Sequence, residues 1–383
     1  MRRVAPALSV QCRPPEHSRK RHDMNETTMA EPVVPAMRAD ALDAVALERY
    51  LCERIDGLRG PLSIRRFEGG ESNPTYRVDA QDGHSYVLRR KPPGVLLPSA
   101  HAVDREFRVQ SALAQTGVPV SRCHLLCEDP SVIGTMFYVM DYMPGRVFFD
   151  PSLPGIAPAE RGAMYDELIR VLATLHGVDY EAAGLSTFGK PGNYFARQID
   201  RWTKQYRASQ TESIAAMERL IEWLPQNIPA GDATCIVHGD YRLDNVIFHA
   251  SEPRIVAVLD WELATLGHPM ADLSYHLMAW RLAPDEFRGL RGHDLESLGI
   301  PTEDAYLDRY FAHRGGGERP GEREWHFYLA YNMFRLSAIL QGIMARALQG
   351  NAAGGARAHD TGRRAGILAA IGWNVVEELR ASN

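Results

Sequence analysis

The sequence predicts an α+β protein of two unequal lobes, a small one built on an antiparallel sheet and a larger, mainly helical one. Three observations carry that expectation. Residues 62–68 (LSIRRFE) and 75–89 (TYRVDAQDGHSYVLR) alternate apolar and polar side chains, the period of a half-buried strand. From about residue 155 onward, apolar residues recur at helical spacing instead. Between 234 and 260 that pattern stops, and three short apolar runs (TCIVH, NVIFH and RIVAVLD) stand between polar turns.

The elements follow in order. Residues 1–39 read as a disordered basic tail: Arg2, Arg3, Arg13, Arg19, Lys20 and Arg21 face a single early acid, Glu16, and Pro6, Pro14 and Pro15 oppose a helix. No apolar stretch with a small-residue cleavage site marks a secretory signal. Met24, Met29 and Met37 are alternative starts, so whether 1–28 belongs to the native protein stays open. The small lobe is expected over 40–143. It opens with a helix at 41–57, where Leu42, Val45, Leu47, Leu51 and Ile55 share a face and Gly57 stops it. A strand and a hairpin turning at Gln81-Asp82-Gly83-His84 come next, then a helix at 102–116 and strands near 121–127 and 136–142. The large lobe, 144–383, begins after Met143, with helices at 157–176, 193–208, 212–224, 270–280, 303–313, 323–348 and 362–380.

Composition excludes several classes. Of 383 residues 45% are apolar, enough for a large core, yet no run approaches the roughly 18 apolar residues of a membrane span. With 43 basic against 48 acidic residues and no basic stripe, a general nucleic-acid binder is excluded. The cysteines, at 12, 52, 123, 127 and 235, are odd in number, and the close pair Cys123/Cys127 lacks the second pair a structural zinc site needs. Free thiols in a reducing cytosol fit better, and a cytoplasmic location is expected.

The most informative run is 236–262, IVHGDYRLDNVIFHASEPRIVAVLDWE. Asp240 sits in a polar turn after one apolar strand, Asn245 follows at the start of the next, and Asp260 ends the third. Phosphoryl transfer needs such a set: a carboxylate to orient a hydroxyl and take its proton, and an amide oxygen with a second carboxylate to hold Mg²⁺.

This block resembles the catalytic and metal-binding segments of the aminoglycoside phosphotransferase and choline kinase superfamily. His238-Gly239-Asp240, four residues, then Asn245 is the form of that branch, and Asp260-Trp261-Glu262 stands where protein kinases carry Asp-Phe-Gly. The resemblance implies a bilobal protein-kinase-like fold, ATP and Mg²⁺ as cofactors, Asp240 as catalytic base, and Asn245 and Asp260 as metal ligands. It also implies that the turn Gly69-Gly70-Glu71-Ser72-Asn73-Pro74-Thr75 covers the phosphates, with Ser72 and Asn73 as donors. Arg89 falls at the strand lysine of protein kinases, though Arg89, Arg90 and Lys91 all remain candidates for the phosphate contact; alternation puts Arg89 and Lys91 on one strand face and Arg90 on the other. Glu106 is the implied ion-pair partner, and backbone groups from Asp141 to Met143 would meet the adenine. Asp272, at a helix start, is taken as structural. The resemblance covers about residues 60–350. It is nearest to the kinase-like domains that stand alone in bacteria or are fused to acyl-CoA dehydrogenases, through Lys91-Pro92-Pro93-Gly94, Ala100-His101-Ala102-Val103-Asp104-Arg105-Glu106, Arg201-Trp202-Thr203-Lys204-Gln205-Tyr206 and Leu266-Gly267-His268-Pro269.

The acceptor side is expected along 190–208. That segment holds Lys190, Arg197, Arg201, Lys204 and Arg207 against one acid, Asp200, the reverse of what a polycationic aminoglycoside needs. Arg197, Arg201 and Lys204 share one helical face and are expected to meet an anionic acceptor, with Arg335 and Arg346 as possible additions. The resemblance points to a hydroxyacyl-CoA and a functional link to an acyl-CoA dehydrogenase. An aminoglycoside or other small-alcohol kinase is the alternative, and a nucleotide-binding pseudokinase scaffold the alternative of another class. The acceptor, ATP against GTP, and the oligomeric state stay open.

Overall fold

Alternating side chains in the small lobe build one six-stranded antiparallel sheet. The computed structural model describes residues 33–35, 42–67, 73–92, 102–349 and 356–381. The strands are β1 (Val33–Pro35), β2 (Ser63–Phe67), β3 (Thr75–Asp79), β4 (Ser85–Arg90), β5 (Cys123–Cys127) and β6 (Phe137–Asp141), in the order β1-β2-β3-β4-β6-β5. Helix α1 (Ala44–Arg54) is capped by Asp43, whose Oδ1 accepts from the Ala46 N–H at 2.9 Å. Its Leu47 and Leu51 pack on Tyr76, Val78, Tyr86, Leu88, Phe137 and Val139, one face of the sheet. On the opposite face Val87, Tyr138 and Met140 pack with Val103 of α2 (Val103–Leu113). This period-2 division puts Arg89 on the α2 side and Arg90 on the α1 side, where its guanidinium lies 5.6 Å from the Tyr76 ring centre. The segment assigned to the tail contains β1, which pairs Val33 with Phe67; residues 1–32 and 36–39 lie outside the described residues, as does Ser72.

Beyond β6 the chain enters the large lobe, and Arg146 and Phe248 exchange backbone hydrogen bonds of 2.8 Å each. A Cβ on Gly145 would lie 2.2 Å from the Phe248 carbonyl oxygen, so the close approach requires glycine. The helices are α3 (Pro158–Gly177), α4 (Tyr194–Ala208), α5 (Ala215–Trp223), α6 (Pro269–Leu277), α7 (Pro284–Phe287), α8 (Leu295–Leu298), α9 (Glu303–His313), α10 (Glu322–Leu348), α11 (Ala356–Gly362) and α12 (Arg364–Ala381). Nearly every residue of α10 from Trp325 to Gly342 is buried, which makes it the central helix, since a surface helix would keep a polar stripe.

Between α5 and α6 lie β7 (Cys235–Val237), β8 (Val246–Phe248), β9 (Ile255–Val258) and β10 (Thr265–Gly267). β8 pairs with β9 and β7 with β10, both antiparallel. The pairing of β10 has no sequence signal, because three residues cannot show a period. Among the described residues no helix is long and apolar enough to cross a membrane.

Candidate active site

β4 and α2 set the small-lobe half of the site. Arg89 Nε stands 3.0 Å from Glu106 Oε2, its Nη2 donates to Asp260 Oδ1 at 2.7 Å, and Glu262 Oε2 is 4.0 Å away. Burial works against the Arg89 charge, but Glu106 and the other acids outweigh it and raise the pKa. Glu106 is itself buried, and burial pushes its carboxyl up to about 7 against the pull of Arg89. Its oxygens accept from Asn73 Nδ2 at 2.8 Å and from the Tyr138 hydroxyl at 3.1 Å. Asn73 therefore spends this donor on bracing the acid. Of the three basic candidates, Arg89 alone reaches Asp260; Lys91 Nζ lies 3.6 Å from Asp104 Oδ1.

At the lobe junction the two adenine-contact candidates differ. The Asp141 N–H donates to the Arg122 carbonyl at 2.9 Å, and Asp141 Oδ1 contacts His124 Nε2 at 2.6 Å. The sheet thus takes the Asp141 N–H. Met143 lies two residues beyond the strand end, and among the described residues nothing accepts from its N–H.

β7 delivers the catalytic loop, and α6 holds it. Asp272, near the α6 start, accepts from the His238 N–H at 2.6 Å and the Gly239 N–H at 2.8 Å, with His176 Nε2 at 3.4 Å. Burial pushes the Asp272 carboxyl up, but the His176 and backbone contacts outweigh it and hold it below its ordinary value. Gly239 has φ +84°, and a Cβ there would lie 2.8 Å from the Leu263 carbonyl oxygen. His238 Nε2 stands 2.7 Å from the Leu259 carbonyl while Nδ1 accepts from the Asp240 N–H at 3.2 Å, which fixes the ring with its proton on Nε2.

Asp240 is thereby presented with both oxygens engaged on one side. Oδ1 accepts from the Tyr275 hydroxyl at 2.6 Å and lies 3.3 Å from Arg242 Nε; Oδ2 accepts from Asn245 Nδ2 at 2.9 Å. Each carboxylate oxygen keeps a further lone pair for an incoming hydroxyl. Behind the loop, Arg335 Nη2 donates to the Gly239 carbonyl at 2.5 Å. Sequence reasoning passed over Arg242 and Tyr275. Arg242 carried a signal, a basic residue two positions after Asp240; Tyr275 comes from α6 and carried none.

Asn245 and Asp260 suit a hard cation. The Leu259 N–H donates to the Asn245 carbonyl at 2.8 Å, which brings the two segments together. Asn245 spends its Nδ2 on Asp240, leaving its amide oxygen as a ligand atom. Asp260 has left-handed backbone angles (φ 60°, ψ 64°), and its side chain is 40% exposed, so its second oxygen is open. Among the described residues no group of three or more His, Cys, Asp or Glu forms a metal cage. One carboxylate and one amide oxygen match Mg²⁺ carried in on phosphates.

The basic residues of α4 are engaged close to their own helix. Arg197 donates to the Gly192 and Lys190 carbonyls, Lys204 pairs with Asp200 at 2.7 Å on the exposed side, and Arg207 pairs with Glu218. Arg201 is exposed, its guanidinium 5.1 Å from the Trp202 ring centre. Ile199, Trp202 and Tyr206 turn into the core, which rotates the charged face outward.

The profile of the phosphotransferase enzyme family matches residues 63–327. Acyl-CoA dehydrogenase family member 10 of Mus musculus is 47% identical over 345 residues, 89% of this chain. The match takes in only 32% of that protein, so this chain spans about a third of the relative's length. A Ralstonia eutropha crystal structure, provisionally named an aminoglycoside phosphotransferase, is 52% identical with a TM-score of 0.80, covering 88% of this chain and 99% of that one. A thermostable variant of aminoglycoside phosphotransferase APH(4)-Ia, in ternary complex with AMP-PNP and hygromycin B, shares the fold at TM-score 0.55 and 18% identity, covering 86% and 99%.

Proposed function

Since the chain belongs to the phosphotransferase enzyme family, we propose that it transfers the γ-phosphoryl group of Mg-ATP to the hydroxyl of an anionic acceptor, best matched by a hydroxyacyl-CoA. The observation that carries the reading is the Asp240 carboxylate, held by Tyr275 and Asn245 next to the segment ending in Asp260. In the transfer, Asp240 takes the proton of the acceptor hydroxyl as its oxygen bonds to the γ-phosphorus and the bond to the β–γ bridging oxygen breaks, releasing ADP. Arg89 contacts the nucleotide phosphates, and the Met143 N–H meets the adenine. Asn245 and Asp260 hold Mg²⁺, which when bound neutralises phosphate charge.

Charge supports the acceptor class. An aminoglycoside needs carboxylates, and the one acid of α4, Asp200, is taken by Lys204. The dehydrogenase name of the mouse relative supports an acyl-CoA, whose phosphorylated hydroxyl would become a leaving group for a following enzyme.

Mg-ATP and Mg-GTP consumption measured across hydroxyacyl-CoAs, kanamycin, choline and sugars tests the reading. Turnover is expected on a hydroxyacyl-CoA, with kcat lowered about 10²-fold or more in Asp240→Asn and nucleotide affinity little changed. Turnover on kanamycin alone would overturn the acceptor class. Nucleotide binding without turnover on any alcohol would favour the scaffold.

A further inference from the structure

Buried arginines in this protein are normally spent. Arg161 donates to the carbonyls of Leu298, Leu153 and Ile156, and even the half-buried Arg105 donates to those of Phe188 and Ala264. Arg335 is different. It is 7% exposed, it makes one hydrogen bond, to the Gly239 carbonyl, and among the described residues no carboxylate lies within ion-pair distance. A guanidinium has five N–H donors and stays charged when buried. The rings of Tyr275 and Trp202, with centres 5.3 and 5.6 Å away, further confine it. Its remaining donors are not sealed away from solvent.

The guanidinium lies beside the base. The carbonyl that Arg335 holds belongs to the residue preceding Asp240, and the tyrosine packed near its guanidinium donates its hydroxyl to Asp240 Oδ1. Burial works against the Arg335 charge, and the tyrosines around it and the Asp240 carboxylate offset that only through space, so an anion or strong acceptor arriving with a ligand finds donors still unused. We propose that Arg335 is the receptor for an acyl oxygen of the acceptor, a carboxylate or a thioester carbonyl, carried a few bonds from the hydroxyl that Asp240 deprotonates. Its closeness to Asp240 assigns it to the reacting end of the acceptor rather than to the distant phosphates of a coenzyme. The assignment rests on the phosphotransferase reading of Asp240 and narrows it: a plain alcohol lacks the group that Arg335 recognises.

The test uses the full chain, with Arg335→Met and Arg335→Lys. The probes are straight-chain hydroxyacyl-CoAs with the hydroxyl on carbon 3, 4 or 5, the matching free hydroxy acids, and diols of equal length. Wild type should prefer an acyl compound over its diol by about 10- to 100-fold in kcat/KM, the scale of one charge-assisted hydrogen bond. Arg335→Met should raise the acceptor KM by a similar factor, bring the acyl compound and diol to parity, and leave the ATP KM in place. Arg335→Lys should recover part of the preference, and it carries the test if the methionine variant does not fold. Preference for the free acid over the thioester identifies a carboxylate as the ligand; the opposite identifies the thioester carbonyl. An acyl-over-diol ratio unchanged in Arg335→Met overturns the proposal, as does an equal fall in kcat on both, the mark of a purely structural role. If wild type turns over none of the probes, the hydroxyacyl reading of the acceptor fails. The proposal is then judged on the Tm shift that the acyl compounds cause without nucleotide. Loss of that shift in Arg335→Met supports it, and its absence in wild type overturns it.

Discussion

Two arginines, Arg89 half-buried and Arg335 buried, flank the catalytic machinery, and they are built on opposite plans. Arg89, in the small lobe, meets three carboxylates, those of Glu106, Asp260 and Glu262. Arg335, in the large lobe, meets a carbonyl and two aromatic rings. The difference follows from what each lobe contributes. The small lobe carries its own anions, so Arg89 bridges the acid that anchors it and the acid that would hold metal. The large lobe supplies a cation and leaves the counter-charge to a ligand. A buried ion pair costs desolvation on both partners, and removing one partner is worse than removing both.

The largest effect expected from that contrast is in Arg89→Met. It leaves Glu106 buried without its cation and should cost about 3–5 kcal/mol of stability, read from denaturant unfolding. Arg335→Met strands no carboxylate and should cost far less. Glu106→Gln placed in the Arg89→Met background should restore part of the loss. The pH dependence has a definite sign. Glu106 titrates at about 7 rather than its ordinary 4.5, so the folded state binds the extra proton and stability falls as pH rises between those values. Glu106→Gln should flatten that decline. Equal losses in the two arginine variants would erase the distinction between them.

What the sequence revealed about these regions tracks how local their geometry is. Asp240, Asn245 and Asp260 lie within one short run, and the strand period separated Arg89 from Arg90 before any fold was known. Tyr275 reaches Asp240 from 35 positions away, and Arg335 reaches Gly239 from 96, distances over which no spacing rule operates. The orientation of the basic α4 face was hidden for a different reason. A helical period shows that Arg197, Arg201 and Lys204 share a face, but packing of Ile199, Trp202 and Tyr206 decides which way it points. The commitment of Asn73 to Glu106 depends on a helix 33 positions later.

An intermediate effect is expected where the loop meets α6. Asp272 uses its two oxygens on two consecutive backbone N–H groups, and an asparagine turns one of those acceptors into a donor. Asp272→Asn should lose about 1–3 kcal/mol and lower kcat, because Asp240 follows directly on the loosened residues. Asp272 sits below its ordinary value, so its contribution is present above that value and is lost as pH falls through the folded one. The asparagine variant should therefore show a shallower acid limb in a plot of stability against pH. An unchanged limb would mean that other carboxylates govern acid unfolding.

The smallest effect belongs to the exposed basic face, and its smallness is informative. Lys204 and Asp200 are an i,i+4 pair with side chains 76% and 62% exposed, a geometry worth about 0.3–0.5 kcal/mol. Salt screens such a pair, whereas the Arg335 guanidinium is shielded by its burial and its two rings. Lys204→Ala should leave Tm nearly unchanged and move the acceptor KM by less than about twofold, with whatever change remains fading as salt rises. Arg335→Met, measured beside it, should keep its KM effect at high salt. A tenfold rise in acceptor KM for Lys204→Ala would place the anion on the outer face of α4 and exchange the roles of the surface lysine and the buried arginine.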